Sequence, residues 1–244
     1  MENNTEQKYK DFLSTVSHEL RTPLTSIRGF ADTILISYEQ LSDEQKIKFI
    51  KIIKEQSNRL IELVENILEV SKVDNRNDEK YVMKAVCVQE VLKSAFSLLK
   101  TKYPQHKFNL TDNAAGYKIY ADENKLLQVF INVLENACKY SPDNYDIDIL
   151  LKPVEDKYVI TIRDYGTGIE EKDFDKIFNK FSRVDNPLTR KTEGSGIGLY
   201  ITRAIVEKMN GKIYPVSADS GACFEIQFDF YDIQKHSQNK INGD

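Results

Sequence analysis

Between Thr5 and Tyr38 the chain has a single glycine, Gly29, and its apolar residues recur at Leu13, Val16, Leu20, Pro23, Ile27, Phe30 and Ile34. That alternating three-and-four spacing marks the seam of one long packed helix. Ser42, followed three residues later by Gln45, forms a capping box that starts a second helix. Its seam runs through Ile50, Ile53, Ser57, Leu60, Val64 and Ile67. Two long helices joined by a short polar turn pack as an antiparallel hairpin. One hairpin cannot bury both of its partly apolar flanks, so a second copy is expected to complete a four-helix bundle through residues of roughly 5–72, giving a homodimer. The alternative is a monomer whose hairpin folds back onto the rest of its own chain.

The segment Ser71–Lys80 is charged and poor in large apolar residues, the composition of a linker. Beyond it, strand-like runs at Tyr145–Leu151, Tyr158–Arg163 and Cys223–Phe230 alternate with helical patterns at Gln89–Lys100, Asp122–Tyr140 and Ile197–Met209. The expected fold is therefore α+β: the helical hairpin, then an α/β sandwich with helices on one face of a mixed sheet. The corresponding domains are 1–75 and 76–234, with a polar, disordered tail at 235–244.

Composition sets the outer limits. Of 244 residues, 41% are hydrophobic and 30% charged, the balance of a folded, well-solvated protein. The net charge of −4 supplies no global field to draw the chain onto nucleic acid or an anionic membrane. Leu126–Leu134, interrupted by Gln128 and Asn132, is far shorter than the roughly 20 apolar residues of a bilayer span, and the polar N-terminus lacks a signal-peptide pattern. No direct membrane contact is expected. The cysteines Cys87, Cys138 and Cys223 lie far apart and no CxxC or HxxxH spacing occurs, so they read as small apolar residues in a reducing compartment.

On a helical wheel with Val16 at zero, the seam residues lie within about 60°, whereas His18 falls near 200° and Thr22 near 240° at about 100° per residue. His18 thus points away from the core, and exposure alone fits a bystander as well as a nucleophile. Its neighbours are Glu19, Thr22 one turn on, and Pro23, which removes a backbone bond and is expected to kink the helix at a cost of about 3 kcal/mol.

Three further patterns carry chemistry. On the helix Asp122–Tyr140, Leu127, Phe130, Ile131, Leu134 and Cys138 form an apolar face opposite Gln128, Asn132, Asn136 and Lys139. A merely solvated face would more naturally offer Glu and Lys pairs; the amides and lysine suit an oxygen ligand for Mg²⁺ at Asn136 and a phosphate cation at Lys139. After the strand Tyr158–Arg163 comes Asp164-Tyr-Gly166-Thr-Gly168-Ile169, where a strand-end carboxylate and two glycines suit close approach of a ligand, though alone this is also an ordinary turn. A second glycine loop, Gly194-Ser195-Gly196-Ile197-Gly198-Leu199, opens a helix whose N–H groups favour phosphate. Between the loops, Asn186–Glu193 reads as a mobile lid or as a surface loop without function.

Phe12-Leu-Ser-Thr-Val-Ser-His18-Glu19-Leu-Arg21-Thr22-Pro23-Leu-Thr-Ser-Ile27 resembles the H-box of the two-component sensor histidine kinases. Asn132-Val-Leu-Glu-Asn136-Ala-Cys-Lys139-Tyr140-Ser resembles their N-box, and Ile177-Phe178-Asn-Lys-Phe181-Ser-Arg183-Val-Asp185 their F-box. With the two glycine loops, the second domain resembles ATP sites of the Bergerat type. The resemblance spans residues of about 8 to 232 and departs mildly at Asn179-Lys180, Ser182 and the single glycine of Met209-Asn210-Gly211.

It implies a dimerisation and phosphotransfer domain followed by an ATP-binding domain. ATP would meet Asp164 through its adenine amino group, with Gly166, Gly168 and Ile169 shaping the pocket and Asn132, Tyr140 and Leu199 lining it. Asn136 would hold Mg²⁺, and Lys139, Arg183 and the loop Gly194, Ser195, Gly196, Ile197, Gly198 would surround the phosphates. Glu19 would act as general base for His18, the phosphoryl group would pass to an aspartate of a response regulator receiver domain, and Thr22 implies a phosphatase activity on that aspartate. The implied setting is cytoplasmic, either as a small soluble kinase or as the cytoplasmic part of a membrane-bound sensor. A pseudokinase scaffold or a Bergerat ATPase that cycles conformation would leave these residues or the H-box helix without a use.

Overall fold

The computed structural model describes residues 2–74, 80–142, 145–182 and 196–231, with 2–11 and 74 described by backbone alone. The chain divides into two compact units, Met1–Asp74 and Asn75–Asp244.

The first unit is a pair of helices, α1 (Glu2–Ile36) and α2 (Asp43–Asp74). The capping box forms: Ser42 N–H donates to Gln45 Oε1 at 2.9 Å and Gln45 N–H to Ser42 Oγ at 3.2 Å. Asp43 and Glu44 add negative charge to the first turn of α2, where the helix dipole favours it. Phe30 lies against Phe49, ring centroids 5.2 Å apart, and Glu19 faces Arg59. The contacts advance along one helix as they retreat along the other, so the pair is antiparallel.

One expectation for the hairpin needs correction. Leu13, Ile50 and Val64, expected in the seams, are exposed by 45%, 56% and 43%. The α2 face turned to α1 runs instead through Phe49, Ile53, Gln56, Leu60, Leu63, Ile67 and Val70, of which Leu63 and Val70 are fully buried. The stripe on α2 is two seams wide, and a midline drawn through it straddles the seam that one chain covers. α1 continues through Pro23, with the proline ring buried.

The second unit carries a five-stranded sheet of order β2-β4-β5-β7-β6, in which only β2 and β4 are parallel. The strands are β2 (Phe108–Asp112), β4 (Ile147–Val154), β5 (Lys157–Arg163), β6 (Lys212–Val216) and β7 (Cys223–Asp229). A separate antiparallel pair joins β1 (Lys84–Val86) to β3 (Ile119–Ala121). Three helices, α3 (Val88–Lys102), α4 (Glu123–Tyr140) and α5 (Gly198–Lys208), complete the unit. One face of the sheet supplies Ile147, Ile149 and Leu151 from β4, Tyr158, Ile160 and Ile162 from β5, and Phe224, Ile226 and Phe228 from β7, all buried. The period of two along each strand places these nine side chains on the side covered by helices.

Asp122 sets the start of α4. Its Oδ1 accepts from the N–H groups of Asn124 and Lys125, and its Oδ2 accepts from Val82 N–H at 2.7 Å. The buried face of α4 is Leu126, Val129, Phe130, Val133, Leu134, Ala137 and Cys138. Leu127 and Ile131, expected on it, are half-buried at its margin. The sheet and the three helices agree with the α+β class expected from the sequence.

Candidate active site

The candidate residues fall into two groups, one in each unit. On α1, His18 and Thr22 are exposed, and Glu19 is half-buried. Thr22 Oγ1 donates to the His18 carbonyl at 3.3 Å, which orients the hydroxyl one turn from the imidazole. Pro23 has no N–H, so the Glu19 carbonyl lacks its usual helical donor. The Glu19 carboxylate lies 3.8 Å from the Arg59 guanidinium of α2, both side chains about a quarter exposed.

In the second unit the site grows out of the end of β5. Asp164 is buried, and its Oδ1 accepts from the N–H groups of Gly166 at 2.9 Å and Ala222 at 3.0 Å. Its Oδ2 receives no hydrogen bond from the described residues, which leaves one lone-pair-rich oxygen fixed in direction. Burial pushes the Asp164 carboxyl above the ordinary carboxylate range; the two backbone donors and the charge of Arg163 only partly offset it.

The glycines explain how this carboxylate is held. A Cβ at Gly166 would sit 2.1 Å from the Tyr140 carbonyl oxygen, so the loop presses directly on the end of α4. Gly221, at φ +70°, has room for no side chain either, since a Cβ there would lie 1.9 Å from the Asp164 carbonyl oxygen. Tyr165 fastens the loop to the sheet: its N–H donates to Ser141 Oγ at 3.2 Å and its hydroxyl to Asp148 Oδ2 at 2.5 Å. Gly168 and half-buried Ile169 continue the same loop.

α4 brings Asn132, Asn136, Lys139 and Tyr140 to this region. Asn136 is half-buried, and among the described residues its amide makes no hydrogen bond. Asn132 Nδ2 points to the start of α5, 3.5 Å from the Gly198 carbonyl and 3.4 Å from Thr202 Oγ1. Lys139 Nζ lies 3.1 Å from Glu135 Oε1. Cys138, on the buried side, is pushed up to about 12 by burial and by the negative charges of Glu135 and Asp164, so it stays a thiol.

Ile197 is buried at the head of α5, Gly198 and Leu199 are half-buried in its first turn, and Gly196 packs against the backbone of Phe181 and Ser182. Phe178 is buried edge-on to Phe224, with the Arg203 guanidinium over its ring. Arg183, Gly194, Ser195 and the stretch Asn186–Glu193 lie outside the described residues.

Sequence reasoning brought Asp164, Asn136, Lys139 and the first glycine loop into one unit, and the structure joins that loop to the end of α4. It missed Gly221 and Ala222, which hold Asp164 from 57 and 58 positions away, and Glu135, which holds Lys139. The pair Ser220-Gly221 just before a strand was the only signal of the turn.

Two family models match the chain: the His Kinase A (phospho-acceptor) domain over residues 8–76, and the histidine kinase-, DNA gyrase B- and HSP90-like ATPase over residues 121–232. The sensor protein kinase WalK of Staphylococcus aureus is 34% identical over 224 residues, covering 88% of this chain and 52% of that protein. The sensor histidine kinase WalK of Bacillus subtilis is 31% identical over 220 residues, covering 88% of this chain and 35% of that protein. The chain thus spans between a third and a half of these curated relatives. Among solved structures, histidine kinase ThkA in complex with response regulator protein TrrA shares the fold, with a TM-score of 0.74, 23% identity, and coverage of 94% of this chain and 64% of that one. A His Kinase A phospho-acceptor domain followed by a histidine kinase-type ATPase domain, matched over most of the chain by such relatives, makes this chain a sensor histidine kinase catalytic core.

Proposed function

We propose that this chain transfers the γ-phosphoryl group of ATP to His18 and then to an aspartate of a response regulator, and that it also removes phosphate from that regulator. The observation that carries the reading is that one chain holds both halves of such a transfer: an exposed imidazole beside a carboxylate on α1, and a buried carboxylate with one open oxygen at the end of β5. The open Asp164 oxygen suits an exocyclic amine, which donates and never accepts, as the adenine amino group does, and disfavours a base that presents a carbonyl at that position. Asn136 offers an unused amide oxygen, and Lys139 a cation three residues on. These residues fit Mg²⁺ held at Asn136, where the ion would supply charge neutralisation between phosphates.

In the chemical step Glu19 takes the proton from the His18 ring. The freed nitrogen forms a bond to the γ-phosphorus as the bond to the β,γ-bridging oxygen breaks, and ADP leaves with that electron pair. A phosphoramidate stores enough free energy to pass its group to a carboxylate. Thr22, with its hydroxyl set one turn from His18, orients water for the reverse removal from the regulator. The proposed boundaries are 1–75 for the phosphotransfer domain, 76–234 for the ATP-binding domain and 235–244 for the tail, and the setting is cytoplasmic. The chain acts as a homodimer, supported by a second apolar seam on α2 that the hairpin leaves exposed. ThkA, whose fold the chain shares, was solved in complex with response regulator protein TrrA, which supports such a partner here.

One assay tests both activities, using labelled ATP, Mg²⁺ and a receiver domain that accepts the phosphate. Asn136→Asp should lower labelling of the chain by roughly a hundredfold or more, because a second carboxylate replaces a neutral ligand near phosphate. Thr22→Ala should label normally yet slow dephosphorylation of the receiver. Full labelling of the first variant would overturn the ATP-site reading, and unchanged dephosphorylation by the second would dismiss the role of Thr22.

A further inference from the structure

Glu135 takes no part in the proposed chemical step, yet it stands among the residues that would serve it. It lies three residues after Asn132 and four before Lys139, so Asn132, Glu135, Asn136 and Lys139 share one face of α4. Its side chain is only 15% exposed. A single oxygen, Oε1, faces three donors: Lys102 Nζ at 2.6 Å, Tyr103 Oη at 3.0 Å and Lys139 Nζ at 3.1 Å. One carboxylate oxygen carries two lone pairs, so three donors over-subscribe it.

The three donors are not equivalent. Lys102 is the last residue of α3 and Tyr103 its C-cap, fixed by a bond from Tyr103 N–H to the Leu99 carbonyl at 2.8 Å. Both therefore come from a second element with a set position. The Lys102 ammonium also lies over the Tyr103 ring, 5.6 Å from its centroid. Lys139 makes the longest of the three contacts and sits on a flexible stem of the same helix as Glu135. Burial pushes the Glu135 carboxyl up, but the Lys102 hydrogen bond and the charges of Lys139 and Lys102 outweigh it and keep the group ionised.

We propose that Lys102 and Tyr103 are positioning residues that occupy Glu135 and thereby leave Lys139 free to turn to the phosphates of a bound nucleotide. The inference rests on the reading that the second unit binds ATP through Lys139. Without Lys102, Glu135 has Lys139 as its only cationic partner among the described residues and holds it more tightly, so a phosphate must compete for it. Without the Glu135 charge, Lys139 has nothing to release.

The test is a double-mutant cycle on the full chain, read as the dissociation constant for Mg²⁺-free ATP by calorimetry and as KM for ATP in autophosphorylation. Lys102→Met should raise the dissociation constant and KM roughly fivefold, with the rate at saturating ATP moving less than twofold. Tyr103→Phe should act in the same direction and more weakly, and serves if Lys102→Met does not fold. Glu135→Gln should tighten binding, and Lys102→Met added to it should have no further effect. A Lys102→Met effect of equal size in both backgrounds would mean that Lys102 attracts phosphate directly, and would overturn the inference while leaving the ATP reading intact. Absence of any effect in the wild-type background would do the same. Failure of the wild-type chain to bind ATP at all would overturn the ATP reading, and the inference with it.

Discussion

At the scale of single residues, Asp164 is the group on which the proposed nucleotide site turns, and it is held at a cost. Its carboxyl binds a proton more tightly in the folded chain than in the unfolded one, because burial raises it more than the backbone donors lower it. The folded state therefore gains protons relative to the unfolded state between the ordinary carboxylate value and the raised one. Across that window stability falls as pH rises, and above it the loss is constant. Asp164→Asn keeps an acceptor for the Gly166 and Ala222 N–H groups and removes the charge. The stability of wild type relative to this variant, measured from urea midpoints, should therefore decline from pH 4 upward and then level off. A difference independent of pH would contradict the assignment. The aspartate and its own loop were legible in the sequence because a strand, a carboxylate and two glycines lie within a few positions. Gly221 and Ala222 were not, since pairing of β5 with β7 brings them there and adjacency along the chain says nothing of it. Glu135 was not singled out, and the end of α3 gives it partners beyond its own helix.

At the scale of elements, the long helices were legible because a seam repeated over many turns leaves no other reading, and because Ser42 and Gln45 fix where α2 begins. The phase of that seam was not. On α2 the residues Phe49, Ile53, Gln56, Leu60, Leu63 and Ile67 face α1, while Ile50, Ile61, Val64 and Leu68, each one position from that row, stay exposed. Period alone cannot divide a stripe two seams wide between a partner helix in the same chain and one in another. The short strands β1, β2, β3 and β6 escaped for a different reason. They span three to five residues, β2 is half polar, and β6 contains Pro215, which is tolerated because β6 ends the sheet order. The exposed row supports the proposed dimer and gives it a sharp test. Ile61 is 57% exposed, and Ile61→Glu would bring two uncompensated carboxylates to a two-fold seam. Sedimentation should show dimerisation weakened by at least about tenfold, some 1.4 kcal/mol, with ATP binding by the second unit retained. An unchanged dimer would move the interface elsewhere.

At the scale of the whole molecule, the chain is a phospho-acceptor helix pair and an ATPase-type domain, each with its own core and its own part of the chemistry. Neither part suffices. Exposure and the neighbourhood of Glu19 make His18 available, but only a separate nucleotide site supplies a group for it to attack. In the proposed reading Asp164 and Lys139 serve a nucleotide site, but only His18 would distinguish a kinase from an ATPase that cycles conformation. The nature of the phosphorylated product therefore tests the account most directly. The full chain incubated with γ-labelled ATP and Mg²⁺ should acquire label that survives alkali and is lost in acid, as a phosphoramidate requires, and His18→Ala should acquire none. Label that survives acid, or label that persists in His18→Ala, would contradict it.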